Sequence, residues 1–359
     1  MSQVRVLPAL LTLFLAGCAG GAPEKPVLVL EEFARSEQQW TGIAVSRTGR
    51  VFVCYPRWGA VPAVAVSELL LQAPGKGTNR PYPDVAWNGW RPGDDPRQRF
   101  VCVQALWIDG RDHLWILDPA SPGFAGTVPG GPKLVRVDLA ADRVVDVIGF
   151  PPDLAPTGSY LNDVRIDTRG RHAYLTDSGL GAILVVDLET RRIRRLLSEH
   201  PLTRSEGITL RVGGGEWRLP DGRVPEVHAD GIALDPEDEW LYFQALSGRN
   251  LRRVRTKDLR DESLATEALA ERVETVAAPG PVDGIAFGPG GWLWLTSLET
   301  GQLFRWKEGR GVVAPFQSVW LAWPDSLAVG PDGRMYVTTA RIHEGSAPKG
   351  PYQIWVFEP

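Results

Sequence analysis

Apolar residues in this chain gather into short runs, each opened by a polar residue and closed at a Gly, Asp or Pro turn, and the runs superimpose. Six segments align without gaps: Thr41-Gly-Ile-Ala-Val-Ser46, Gln104-Ala-Leu-Trp-Ile-Asp109, Asn162-Asp-Val-Arg-Ile-Asp167, Asp230-Gly-Ile-Ala-Leu-Asp235, Asp283-Gly-Ile-Ala-Phe-Gly288 and Asp325-Ser-Leu-Ala-Val-Gly330. A turn follows each, such as Thr48-Gly49 or Pro331-Asp-Gly333, and then a second apolar run, such as Val51-Phe-Val-Cys-Tyr55, Leu114-Trp-Ile-Leu-Asp118 or Met335-Tyr-Val-Thr-Thr339. Runs this short, bounded by turn residues, predict strands joined as hairpins. A third strand follows in Leu134-Val-Arg-Val-Asp138, Ile183-Leu-Val-Val-Asp187 and Leu303-Phe-Arg-Trp306, and a fourth at 144–148, 193–197 and 312–316.

Four antiparallel strands recurring at irregular spacings of roughly 40 to 70 residues predict the blades of a propeller. The expected fold is all-β, a single six-bladed β-propeller over residues 27–359. Its last unit has strands at 325–330, 334–339 and 353–357 and then stops one strand short, whereas Val27-Leu-Val-Leu-Glu31 belongs to no unit. Pairing this N-terminal strand into the last blade closes the ring and covers an edge.

The residues before it read as a sorting signal. Arg5 and an apolar run over 7–16, too short to span a bilayer, predict a signal peptide over residues 1–17. Leu15-Ala16-Gly17-Cys18 resembles the bacterial lipobox, which implies a lipid on Cys18, a short tether over 18–26 and a protein exported to the cell envelope. In a Gram-negative host, Ala19 after the cysteine implies the outer membrane, facing the periplasm. Two cysteines remain, Cys54 and Cys102, and the propeller register brings both to the same face where the first two blades meet. Export permits a disulfide there, so this pair is expected to be bonded.

Charge bears on partners. Lys and Arg number 39 against 43 Asp and Glu, a net charge of -4, so there is no basic surplus for a nucleic-acid backbone. The partners expected are a small molecule and, through Cys18, a membrane, with the chain itself a monomer.

The loops locate the site. Long connections at 72–103, 119–132, 150–160, 199–229 and 340–352 all fall on the face where the inner strands begin, and the middle of 199–229 has the pattern of a hairpin lid. The opening position of each repeat stands at that face beside the central channel: Thr41, Gln104, Asn162, Asp230, Asp283 and Asp325. Converging oxygens suit an amine-bearing ligand or a hard divalent cation such as Ca²⁺, with Asn162, Asp230 and Asp283 as candidate metal ligands. Clustered carboxylates also raise one another's pKa unless a cation lies among them. The competing reading is that Asp-Gly at a strand start caps its own backbone. His228 is the histidine this register brings near the ring, and Trp87 and Trp90 on the first long loop are candidates for stacking on a ligand. No Gly-x-Ser-x-Gly elbow and no zinc spacing occur.

Particular strings resemble the yellow/major royal jelly protein family: Val51-Phe-Val-Cys-Tyr-Pro-Arg-Trp58, Pro81-Tyr-Pro83, Val103-Gln-Ala-Leu-Trp-Ile-Asp109, Lys133-Leu-Val-Arg-Val-Asp-Leu139, Leu241-Tyr-Phe-Gln-Ala-Leu-Ser247 and Trp323-Pro-Asp-Ser-Leu-Ala-Val329. The resemblance implies a secreted six-bladed propeller. Some members bind biogenic amines or other small ligands in the channel and others are linked to dopachrome conversion, so it implies no single reaction. The architecture is also similar to the gluconolactonase group, whose channel metal has Glu, Asn and Asp ligands. Asn162 and Asp230 match the Asn and Asp, but Thr41 stands where the Glu is expected. Three functions follow in order: a binding protein for a small polar or cationic ligand, a metal-dependent lactonase or related hydrolase, and a scaffold for another envelope protein.

Overall fold

The computed structural model describes residues 27–359 except 74, 75, 168–170, 318 and 346, so the signal peptide, the tether and Cys18 lie outside the described residues. Among the described residues, six four-stranded antiparallel sheets follow one another around a channel as the blades of a propeller. Their inner strands are Ile43–Val45, Ala105–Ile108, Leu161–Asp167, Ala229–Leu234, Val282–Gly288 and Pro324–Val329. Alternation along each strand gives every blade two apolar faces, and a buried apolar cluster fills each gap between neighbours. Phe52, Leu114 and Val135 fill the gap between blades one and two, and Trp115, Leu134, Val164 and Leu184 the next. Each such side chain stabilises the fold by about 1.5–3 kcal/mol.

The ring closes through the N-terminus, four residues later than the apolar pattern suggested. Glu31–Ser36 forms the outer strand of blade six, with Glu31 opposite Val356 and Ser36 opposite Tyr352. Val27–Leu28 instead pairs in parallel with Phe316–Gln317, and Leu28 and Leu30 are buried between blades five and six. The expected 72–103 loop is also shorter than the pattern implied. The strands Val66–Ala73 and Lys76–Pro81 complete blade one, and the insertion runs over 82–104. Within it Trp87 packs on Phe100 at 5.0 Å, and Trp90 is buried with Val101, Cys102 and Ala120. Both indoles help hold the insertion together. Blade four carries two short helices, Thr256–Arg260 and Thr266–Ala270, between its third and fourth strands.

The disulfide expected between Cys54 and Cys102 is absent; both are buried free thiols. Cys54 packs in the gap between blades one and two, whereas Cys102 belongs to the separate cluster under the insertion. Two carboxylates anchor the loops that lead to the channel. Asp118 accepts from the backbone N–H groups of Val101, Cys102 and Ala120 and pairs with the buried Lys133 at 2.7 Å. Asp177 does the same in blade three for Tyr160, Gly179 and Leu180, and pairs with Arg195 at 2.7 Å.

Candidate functional site

Four of the six ring positions sit in β-bulges. Register shifts between residues 161 and 164, 229 and 232, 282 and 285, and 324 and 327 place Asn162, Asp230, Asp283 and Asp325 where the ladder is interrupted. A bulge re-aims its side chains and leaves backbone groups unpaired. Threonines of the second strands take up those groups: Oγ1 of Thr176, Thr296 and Thr338 accepts from the backbone N–H of Asp163 (3.3 Å), Gly284 (2.8 Å) and Ser326 (3.0 Å). Thr176 and Thr338 then donate to the carbonyls of Asp230 (2.6 Å) and Thr41 (2.8 Å), which joins blade three to four and blade six to one at channel level. Cys54 holds this place in blade one and donates to the Gln104 carbonyl at 3.2 Å. The glycines after Asp230 and Asp283 are required by close approach. A Cβ on Gly231 would lie 2.3 Å from the Asp283 carbonyl oxygen, and one on Gly284 2.1 Å from that of Asp325.

The polar side chains form one chain across the mouth. Trp58 Nε1 donates to the Tyr160 hydroxyl (2.6 Å), which donates to Gln104 Oε1 (2.9 Å). Gln104 Nε2 reaches Asn162 Oδ1 at 3.5 Å, and Asn162 Nδ2 donates to Asp230 Oδ2 (2.7 Å) and Ser178 Oγ (2.9 Å). The Asp230 and Asp283 carboxyls are close enough to perturb each other, and Asp283 Oδ2 accepts from Trp323 Nε1 at 2.7 Å. Asp325 accepts from Ser326 Oγ at 2.9 Å. Among the described residues, Asp230 and Asp283 accept no backbone N–H, so they are not spent on capping.

Electrostatics follows from burial and crowding. Burial, then the charges of Asp283, Asp325 and Asp163, holds Asp230 well above the usual carboxylate range, and burial with Asp283 does the same to Asp325. Burial pushes Asp283 up to about 7 against the opposing bond from Trp323. Ionising Asp230 and Asp283 together is therefore unfavourable. Asp163 has its own cation, Arg165, with Nη1 at 2.7 Å.

The remaining ring members play other parts. Thr41 donates to the Gln104 carbonyl at 2.9 Å, so its hydroxyl is committed to the backbone. His228 accepts from the Ser205 N–H through Nδ1 at 2.9 Å, which leaves its proton on Nε2, and burial lowers its pKa and keeps it neutral. It supports the loop behind the ring. Aromatic groups flank the mouth. On one side Phe124, 61% exposed, stacks on Trp58 at 5.3 Å and lies 5.1 Å from Tyr160. On the other, the expected hairpin forms between Arg211–Val212 and Gly215–Glu216, and Trp217 just beyond it meets Trp323 edge-on at 4.8 Å. Trp323 also stacks on His343 at 5.9 Å and is held at φ 60°, a strained setting for a bulky residue. Sequence reasoning missed Trp58, Tyr160, Asp163, Arg165 and Trp323. The aligned repeats did carry a signal for two of them, since Asp163 and Arg165 are charged at positions where most blades have Gly or Ala.

The sequence profile of the major royal jelly proteins matches residues 101–356. The chain belongs to that family. Major royal jelly protein 5 of Apis mellifera is 28% identical over 221 residues, covering 58% of this chain and 34% of that protein. L-dopachrome tautomerase yellow-f of Drosophila melanogaster is 26% identical over 186 residues, covering 48% of this chain and 42% of that protein. The match thus spans less than half the length of either relative. A gluconolactonase from Xanthomonas campestris has the same fold, with a TM-score of 0.55 at 13% identity over 92% of this chain and 89% of that one.

The metal expected from the gluconolactonase comparison does not fit the channel of this royal jelly family member. Asn162 turns its NH₂, not its oxygen, toward Asp230, Asp283 is bonded to Trp323, and the Thr41 hydroxyl is committed elsewhere. Among the described residues no group of three or more His, Cys, Asp or Glu side chains is arranged to hold a metal ion.

Proposed function

We propose that this royal jelly family member is an exported binding protein of the bacterial cell envelope, anchored through a lipid on Cys18, whose channel mouth receives a small organic cation. One observation carries the reading. Asp230, Asp283 and Asp325 are buried around one channel and, among the described residues, none of them has a cationic side chain as partner. An ammonium group donates hydrogen bonds to several carboxylates at once and lets them ionise together. Gln104 and Asn162 supply further polar contacts at the rim, and the exposed Phe124 over Trp58 offers a face to the apolar body of such a ligand.

Calorimetry and thermal shift with primary amines, catechols and lactones test the binding. Primary amines should raise the melting temperature of the wild type and leave that of Asp230→Asn unchanged. Turnover of lactones without amine binding would replace the reading with the hydrolase, and binding of another envelope protein with no response to any small molecule would replace it with the scaffold. Fractionation tests the anchor: the wild type should sediment with membranes and Cys18→Ser should not. A soluble wild type with an unmodified N-terminus would refute it.

A further inference from the structure

Below the carboxylate ring the channel is built differently. The third residue after each ring position is Ala44, Trp107, Arg165, Ala233, Ala286 or Ala328, small in four blades and large in two. Arg165 is 4% exposed, and its guanidinium lies 4.4 Å over the Trp107 ring. Nη1 pairs with Asp163 and donates to the Val164 carbonyl, both at 2.7 Å, while Nη2 crosses to the Ile285 carbonyl of blade five at 3.0 Å. The guanidinium thus bonds its own blade through Nη1 and reaches blade five through Nη2, which fixes its charge between the two.

Two donors of this stacked pair remain. Arg165 Nε and Trp107 Nε1 are buried and have no hydrogen-bond partner among the described residues. Buried N–H groups are usually paired, so these two donors are open to an acceptor, as are Arg305 Nε and Trp294 Nε1 of a second stacked pair in blade five. A carboxylate suits them, because its two oxygens accept from a guanidinium edge and a neighbouring N–H together. The carboxylates above lack a cation and the donors below lack an acceptor.

We infer that the channel takes a zwitterion, with its ammonium among Asp230, Asp283 and Asp325 and its carboxylate on Arg165 and Trp107. This rests on the cation-binding reading above and deepens it. Ring and plug are separated by three residues of strand, about 10 Å between α-carbons. The charges of the ligand must therefore be several bonds apart. An ω-amino acid meets that condition and an α-amino acid does not.

Matched pairs test the inference by calorimetry: γ-aminobutyrate, δ-aminovalerate and ε-aminocaproate against n-butylamine, n-pentylamine and n-hexylamine, with L-alanine as the short-spaced control. At least one ω-amino acid should bind about tenfold or more tightly than the amine of the same carbon number, the worth of a charge-assisted contact, and L-alanine should bind worse than it. Trp107→Phe keeps the ring under the guanidinium but removes the N–H. It should weaken that ω-amino acid severalfold and leave the amine unchanged, and its melting temperature shows whether the fold is kept. Amines binding as tightly as their partners, L-alanine binding as tightly as the ω-amino acids, or Trp107→Phe weakening both classes alike would overturn the zwitterion and leave the cation reading standing. No binding of either class, or binding untouched by Asp230→Asn, would remove the cation reading and the zwitterion with it.

Discussion

Replacing Asp283 by Asn should make the unliganded protein more stable above neutral pH while removing its affinity for cations. Burial pushes Asp283 from 3.8 up to about 7. As pH rises through roughly 4 to 7, an unfolded chain gives up this proton and the folded protein keeps it, so the folded form binds more protons and loses stability across that window. The contribution is whole below about pH 4 and gone above about pH 7. At about 1.4 kcal/mol for each step on the pH scale, the displacement of roughly three corresponds to about 4 kcal/mol. Because Asp230 titrates together with it, this is an upper figure. Asn carries no charge, its Oδ1 can still accept from Trp323, and its NH₂ can donate to Asp230. A domain of about 330 residues unfolds with roughly 0.7 kcal/mol/K of entropy, so the gain should raise the melting temperature by up to about 6 °C.

The assay is thermal melting of wild type and Asp283→Asn at about pH 5 and about pH 8. The variant should melt above the wild type at the higher pH by clearly more than at the lower. A difference that does not grow with pH, or a variant that melts lower at about pH 8, would refute the reasoning.

Three further outcomes follow from the residues around the ring. Burial pushes both thiols up to about 12, so an exchange reagent at about pH 8 should label Cys54 and Cys102 only on unfolding; immediate labelling, or a mass showing a disulfide, would contradict this. Cys54→Ser, which restores a hydroxyl where blades three, five and six have Thr, should cost less than about 1 kcal/mol. Gly284→Ala puts a Cβ 2.1 Å from the Asp325 carbonyl oxygen and should cost about 3 kcal/mol. Gly59→Ala, with nothing within 4 Å, serves as the control and should change little.

The sequence was most legible where polar and apolar positions alternate against a buried gap. The inner strands stand where their apolar runs place them, because a slip by one residue would turn each buried side chain outward. It was least legible at the outer edges. Glu31–Ser36 and Lys76–Pro81 are outer strands facing water, so their residues lack the apolar signature, whereas the more apolar Val27–Leu30 stretch lies beside them as packing. At the channel, the ring residues could be read from alignment alone, but the bulges that aim them could not, since a bulge is a fault in pairing and leaves no change of composition. Cys54 misled for a related reason. A thiol in a chain read as exported suggests a bond, yet its position in the repeat is that of a hydroxyl that joins one blade to the next.

The same residues that place the carboxylates also explain why the fold tolerates them. Three buried acids pressed together oppose folding, and a channel lined with Ala or Leu at those positions would be more stable. They are held in place by Thr176, Thr296 and Thr338, which satisfy the interrupted backbone, by Gly231 and Gly284, which let neighbouring strands close in, and by the strained Trp323, which bonds Asp283. Each support lies on a second strand, an inner strand or a strand entrance whose position is fixed by the packing between blades. The unfavourable charge is thus concentrated where the scaffold is least able to relax. Such a local conflict within an otherwise consistent structure is where a functional site is expected.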